Sequence, residues 1–317
     1  MYEAKIKSFI SKVNISNESH DLCKLIESTF LHLFSVNEEY ANSTLDALLL
    51  IADNSEFNIK YGEKSQFIIN FDEKCVSIKL LKDDINEIGL IHELEHIIHY
   101  YGARRYDPVF LEKILHNINS GELIKKVKSI INSILLPIIN SCTRLTDLNK
   151  KNKENKMLLN IDDIDIRKYM LENGYDNEMV EFVLKSRISL KKYIQLSHEE
   201  KVKQYSYKTM ERLYPTYFSF YGLINNIIRG RVEELFPDIP FTYGHPKEYF
   251  ERNDNVMWFS EIIATYEEIR ATKDVDTINQ LLKELLGEEL YSRLIEYSKC
   301  HRKLTNDNFN KEERIVK

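Results

Sequence analysis

The sequence predicts an α+β, mostly helical protein with one small antiparallel sheet and a large helical insertion. Apolar residues recur at helical spacing through most of the 317 residues, whereas three short runs between residues 57 and 80 have strand character. The chain is 43% hydrophobic, which is enough for a substantial core and is not typical of a disordered protein.

Three helices are expected at the N-terminus, over residues 3–14, 20–35 and 43–52. The apolar residues that repeat at helical spacing in the first two are Ile6, Phe9, Ile10 and Val13, then Leu22, Leu25, Ile26, Phe30 and Leu33. Either Asn17 or Ser19 is suited to cap the second helix, because a side-chain oxygen there can accept a bond from a free backbone N–H.

The expected sheet has three strands, at residues 57–61, 66–71 and 75–80. Phe, Ile, Val and Tyr are frequent in these runs, and turn-forming residues at 62–64 and 72–74 separate them. Short loops join consecutive strands most easily when the strands are antiparallel, so the pattern predicts an antiparallel meander.

A helix over residues 84–101 carries the pattern His92-Glu93-Leu94-Glu95-His96. Positions four apart lie on the same face of a helix, so His92 and His96 can direct both imidazoles at one metal ion. Glu93 lies roughly a quarter-turn away, where its carboxylate can take a proton from a metal-activated water without binding the metal. The pattern therefore predicts a catalytic Zn²⁺ site in which Glu93 is the general base.

A catalytic zinc ion needs a third protein ligand and an open fourth position. His99 lies near the face of the two histidines, but a third turn of the same helix cannot curl round one ion without strain. Glu261 is the better candidate, because it lies in an apolar helix where an unpaired acid would be costly. Glu267 and Glu268 are fallback ligands, and their adjacency suggests a solvated edge.

Beyond the motif, residues 108–235 follow helix and loop patterns with a charged interruption at 150–156. An apolar run at 130–139 is interpreted as a buried helix bent near Pro137. The sequence predicts three segments. Residues 1–107 hold the N-terminal helices, the sheet and the motif helix, and residues 108–240 form a helical insertion. Residues 241–317 complete the site with helices at 256–272, 275–286 and 288–299.

The charge balance limits the possible partners. With 44 basic and 50 acidic residues the net charge is −6, which argues against a nucleic-acid-binding role. The four cysteines form no CxxC pair, and no apolar run is long enough to span a bilayer. No cleaved signal peptide is recognisable, so we expect synthesis in a cytoplasm, with secretion by another route left open. We expect a monomer that acts on a protein or peptide substrate.

The HELEH segment and the Ile97-Ile98-His99-Tyr100-Tyr101-Gly102 that follows it resemble the zinc helix of the gluzincin metallopeptidases. The resemblance is to bacterial toxin members, namely clostridial neurotoxin light chains and anthrax lethal factor. A small sheet before such a helix is the usual order in zincins. Glu261-Ile262-Ile263-Ala264 is similar to the segment that supplies lethal factor's glutamate ligand, and Thr242-Tyr243-Gly244 to the one with its catalytic tyrosine. The gap between His96 and Glu261 is far longer here.

This resemblance implies a zinc endopeptidase with His92, His96 and Glu261 as ligands and Glu93 as catalytic base. It further implies that Tyr243 stabilises the oxyanion, with His245 and Tyr249 as rivals in the same loop. The toxin relatives suggest an effector protease that cleaves host proteins. Two alternatives stay open, an intracellular regulatory metalloprotease that cuts a repressor and a non-catalytic helical binding protein.

Overall fold

The computed structural model describes residues 2–15, 20–63, 65–81, 86–102, 106–146 and 198–309, together with seven residues between 167 and 180. Its elements confirm the α+β, mostly helical class. The chain divides into two compact units, one formed by Met1–Ile131, Pro215–Leu235 and Thr242–Lys317 and the other by Asn132–Tyr214 and Phe236–Phe241. The predicted insertion at 108–240 is therefore shared between the two units. Asn17, Ser19 and the charged interruption at 150–156 lie outside the described residues.

The first unit begins with three helices, α1 (Tyr2–Lys12), α2 (His20–Val36) and α3 (Glu38–Asn54). The predicted apolar stripes of α1 and α2 face the core, with Ile10 and Leu25 partly buried and the other stripe residues of the two helices fully buried. Asn37 caps α3, because its side-chain oxygen accepts a hydrogen bond from the backbone N–H of Tyr40 at 3.0 Å. The predicted first helix is too long, since residues Val13–Ile15 leave it to form strand β1.

The sheet has four strands in the order β1-β2-β4-β3, where β2 is Glu56–Gly62, β3 is Gln66–Asn70 and β4 is Cys75–Leu81. The predicted antiparallel meander is wrong, because β2 pairs in parallel with both β1 and β4, and only β3 runs antiparallel, against β4. Burial explains the order. Alternate residues of β2 and β4 are core residues, whereas no residue of β3 is fully buried. The interior positions go to the strands with apolar faces, and β3 takes an edge.

Two helices form the centre of the first unit, α4 (Glu87–Tyr101) with the HELEH motif and α12 (Asn255–Arg270) with Glu261. Asn86 caps α4 by accepting from the N–H of Gly89 at 2.9 Å, and Asp254 caps α12 by accepting from the N–H of Met257 at 2.9 Å. The two helices pack against each other, and every α12 residue from Trp258 to Ile269 is buried. A helix buried on all sides has no solvated face, so each polar side chain in it needs a partner.

The other helices of this unit surround the central pair. They are α5 (Pro108–Asn119), α6 (Glu122–Ile130), α9 (Pro215–Ile227), α10 (Val232–Leu235), α11 (Lys247–Arg252), α13 (Val275–Leu286) and α14 (Glu288–Cys300). Among them, α9 packs directly on α12. The last predicted helices, at 275–286 and 288–299, are present at nearly those bounds.

The second unit contains α7 (Leu136–Thr146) and α8 (His198–Leu213), which pack together. A π-helical segment, Ile131–Leu135, leads into α7 just before Pro137. Proline has no backbone N–H for the α-helical ladder, and a wider turn before it accommodates that loss.

None of the helices in the described part of the chain has the length and apolar character needed to cross a membrane.

Candidate metal centre

The centre is built on one face of α4, where His92 and His96 are one turn apart. Their Nε2 atoms lie 2.9 Å from each other. From α12, Glu261 places Oε2 at 3.5 Å from Nε2 of His92 and Oε1 at 3.6 Å from Nε2 of His96. One ligand atom from each of the three residues lies within 4.8 Å of the others. The structure thus brings together the three residues that the sequence predicted as metal ligands.

The donor atoms fit a divalent cation of the zinc type. Glu261 is 2% exposed, and its Oε2 is buried without a hydrogen-bond partner among the described residues. The facing Nε2 atoms of His92 and His96 can share at most one proton between them in their neutral forms. A cation among the two nitrogens and the carboxylate would satisfy all three groups. Imidazole nitrogen and carboxylate oxygen are the ligand types that zinc accepts.

The opposite ring nitrogen of each histidine faces a polar side chain of α12. Nδ1 of His96 lies 2.7 Å from Oγ of Ser260, and Nδ1 of His92 lies 2.6 Å from Oε1 of Glu268. Such contacts favour one ring orientation, in which the two Nε2 atoms face each other beside Glu261. Sequence reasoning missed both roles. The role of Glu268 could have been predicted from its spacing, because Glu268 follows Glu261 by about two helical turns and therefore lies on the same face of α12.

The expectation that Glu267 and Glu268 form a solvated edge is wrong, because both residues are completely buried. Neighbouring positions on a helix point in different directions, and each acid finds a separate cationic or donor partner. Glu267 pairs with Arg302 at 2.9 Å and with Arg270 at 3.0 Å. Glu268 contacts His92 and Tyr243.

Burial and charge shift the pKa values of three groups at the candidate centre, namely Glu261, His92 and Glu93. Burial disfavours the ionised form of Glu261, but His96, His245 and His92 together hold the pKa of its carboxyl well below its ordinary value. Burial also opposes protonation of His92, yet Glu261 and Glu268 raise the pKa of this imidazole well above its usual range. For Glu93 burial dominates and raises the pKa of the carboxyl.

Three side chains from residues 242–252 reach the centre. Nε2 of His245 lies 3.1 Å from Oε1 of Glu261, and the hydroxyl of Tyr249 donates to the same oxygen at 2.8 Å. The rings of His245 and Tyr249 stack with centroids 3.6 Å apart. Tyr243 instead donates its hydroxyl to Glu268. The oxyanion role predicted for Tyr243 stays a prediction. Its two rivals, His245 and Tyr249, are the residues that contact Glu261.

The loop before α11 is held by two asparagines at the end of α9, which sequence reasoning did not single out. Nδ2 of Asn225 donates to the carbonyl of His245 at 2.9 Å, and Oδ1 of Asn226 accepts the N–H of His245 at 3.4 Å. Nδ2 of Asn226 also donates to Oγ1 of Thr265 in α12 at 3.0 Å. A Cβ on Gly244, whose φ is +89°, would lie 2.6 Å from Oδ1 of Asn226, so glycine is required for this close approach.

His99 does not join the triad. It is fully buried, with Nδ1 at 3.1 Å from the hydroxyl of Tyr297 and its ring against Phe259. It therefore serves the packing of α4 in this structure.

Glu95, the second acid of HELEH, ties α4 to the surrounding elements. It accepts hydrogen bonds from Tyr40 at 3.1 Å and Thr44 at 3.2 Å, and it pairs with His301 at 2.9 Å and Arg302 at 3.5 Å. Burial alone would raise the pKa of Glu95, but Arg302, His301 and Tyr40 lower it to about 2. This network fixes the motif helix in place.

Comparison of the chain with protein-family models, with curated proteins and with solved structures finds no match in any of the three.

Proposed function

We propose that this chain is a zinc-dependent endopeptidase that hydrolyses peptide bonds of a protein substrate. The observation that carries the proposal is the convergence of His92, His96 and Glu261, whose ligand atoms lie within 4.8 Å of one another. Two imidazoles and one carboxylate form the protein ligand set of catalytic zinc sites that keep a fourth position open. A bound zinc ion would supply a reactive nucleophile at neutral pH and polarise the scissile carbonyl.

We assign proton transfer to Glu93. It follows His92 directly in α4, and the charges of His92, His96 and Glu261 act on its carboxyl, so it lies near the triad. Glu93 is 9% exposed, which leaves it a small opening to solvent. Burial raises the pKa of its carboxyl, which brings the group closer to the range where it can both take and return a proton near neutrality. In this assignment Glu93 takes the proton of the attacking water and then protonates the leaving amine.

His245 and Tyr249 are the residues we assign to stabilising the negative charge that develops on the scissile carbonyl oxygen. Both have donor groups within 3.1 Å of the same oxygen of Glu261, so both lie at the triad. The side chain of His245 is 38% exposed, which lets an incoming substrate reach it. Donors held in place before the reaction are what such a site needs. The competing assignment is the prediction that Tyr243 has this role.

The sheet supports an extended peptide as substrate. Strand β3 is at an edge, and an edge strand offers unpaired N–H and C=O groups to another chain. Phe67 in β3 stacks on the ring of His96 with centroids 4.7 Å apart, so this edge strand adjoins the metal centre. We propose that the substrate lies along β3. A host protein as target is a further proposal that rests on the resemblance to toxin peptidases alone.

Metal analysis and a hydrolysis assay on an unstructured protein test the proposed function. We expect about one zinc ion per chain. A Glu93→Gln variant should keep the metal and lose hydrolysis, and Glu112→Gln, a change at an exposed acid of α5, should alter neither. Absence of zinc from the wild-type protein, or full hydrolysis by the Glu93→Gln variant, would overturn the proposal.

A further inference from the structure

The phenol of Tyr243 is engaged by a buried carboxylate. Its hydroxyl lies 2.9 Å from Oε1 and 3.0 Å from Oε2 of Glu268, which is completely buried. The same Oε1 lies 2.6 Å from Nδ1 of His92. Glu268 therefore stands between a phenol and the imidazole of a metal ligand. The Tyr243 hydroxyl thus contacts the side chain beside His92, whereas the Tyr249 hydroxyl contacts Glu261 of the triad itself.

Helix α9 holds the Tyr243 ring in this position. The ring stacks on Phe218 with centroids 4.0 Å apart and an interplanar angle of 25°. It also lies on Gly222, where an added Cβ would come within 2.4 Å of Cδ1 of Tyr243. Phe218 and Gly222 are four residues apart and thus share one face of α9. Glycine within a helix is less stabilising than alanine. The close approach of the Tyr243 ring explains why glycine is present at position 222, since a larger side chain would clash with the ring.

We propose that Tyr243 is a positioning residue that holds Glu268, and through Glu268 holds the His92 ring with Nε2 directed at the metal. This inference rests on the proposed zinc function and assigns Tyr243 a role other than oxyanion stabilisation. Removal of a group that orients a metal-binding histidine commonly weakens metal affinity about 10- to 100-fold. An oxyanion donor, in contrast, contributes to turnover and not to the affinity for the metal.

The first measurement is the zinc affinity of a Tyr243→Phe variant, determined by competition with a chelator. The phenylalanine ring keeps the packing on Phe218 and removes only the hydroxyl. We expect the affinity to fall by about 10-fold or more. Tyr266→Phe is the matched control, because Tyr266 is also buried and donates from α12 to Asn279 at 3.2 Å, away from the triad. Its zinc affinity should equal that of the wild-type protein.

A second measurement separates positioning from a general loss of stability. The visible absorption spectrum of the Co²⁺-substituted protein reports ligand geometry in the folded molecules alone. The spectrum should change in Tyr243→Phe and stay unchanged in Tyr266→Phe. Gly222→Ala, whose added Cβ would push the Tyr243 ring away from α9, should reproduce the change seen in Tyr243→Phe.

A double-mutant cycle tests whether Tyr243 acts through Glu268. In a Glu268→Ala background, Tyr243→Phe should cause no further loss of zinc affinity. Equal losses in both backgrounds would show that Tyr243 does not act through Glu268. A Tyr243→Phe variant with wild-type zinc affinity and reduced turnover would also contradict the positioning role, because that is the result expected of an oxyanion donor. If the wild-type protein binds no zinc, the proposed function fails and this inference fails with it. If the wild-type protein binds zinc and Tyr243→Phe binds it equally well, only the positioning role fails.

Discussion

Oγ of Ser260 lies 2.7 Å from Nδ1 of His96, so the residue directly before the candidate ligand Glu261 contacts a histidine on the neighbouring helix. Ser260 and Glu261 are consecutive in α12, and one helix thus supplies both a candidate ligand and a contact to another candidate ligand, His96. Any shift of α12 along α4 would disturb both contacts together. This coupling makes the packing of α4 against α12 a determinant of the candidate metal centre.

The serine contact predicts a moderate effect on metal binding. Ser260→Ala should lower zinc affinity by roughly 10-fold, because His96 loses the partner that fixes its ring orientation. Chelator competition measures the change. Ser43→Ala, which removes a partly buried hydroxyl that donates to a backbone carbonyl in α3, is the control and should leave the affinity unchanged. An unaltered affinity in Ser260→Ala would show that the ring is held by packing alone.

Zinc should stabilise the folded protein. With free zinc at about 1,000 times its dissociation constant, binding to the native state adds about 4 kcal/mol to the free energy of unfolding. Urea unfolding with and without zinc measures this gain. Glu261→Gln should remove most of it, since a neutral amide replaces the carboxylate ligand, whereas Glu112→Gln should retain it. A full zinc effect in Glu261→Gln would remove Glu261 from the ligand set.

Loss of the His245 imidazole should affect turnover more than metal binding. We expect His245→Ala to lower kcat about 100- to 1,000-fold, as is typical when an oxyanion donor is removed, with the zinc content unchanged. Steady-state hydrolysis of a peptide substrate separates kcat from KM. A rise in KM at constant kcat would instead assign His245 to substrate binding.

The buried pairs around Glu95 predict a large stability change. Arg302→Met leaves the carboxylates of Glu95 and Glu267 without their shared cation, so the free energy of unfolding should fall by about 3–5 kcal/mol. Arg293→Met breaks a partly exposed pair with Asp107 and should cost less than about 1 kcal/mol. Urea unfolding of both variants measures the difference. Equal losses would mean that the buried network does not determine the position of α4.

The features that the sequence predicted well are local, since they depend on residues that are close together in the chain. The four-residue spacing of His92 and His96 puts both rings on one helical face wherever that helix packs, because helical periodicity is local. The bounds of α13 and α14 follow from apolar spacing in the same way. The burial of Glu261 was also readable, since an acid in an apolar helix needs a partner.

Only the tertiary structure decided which elements meet. The strand order depends on how the apolar faces of the strands compare. Strand β3, which has no buried residue, lies at the edge, and β2 pairs in parallel with β4. The contacts of Glu268 with His92 and of Asn226 with His245 join residues far apart in the chain. Such pairings result from the packing of whole helices, whose interaction energies are spread over many residues. The sequence by itself therefore determined the two histidines and their shared face, whereas the packing of α4, α9 and α12 decided what surrounds them.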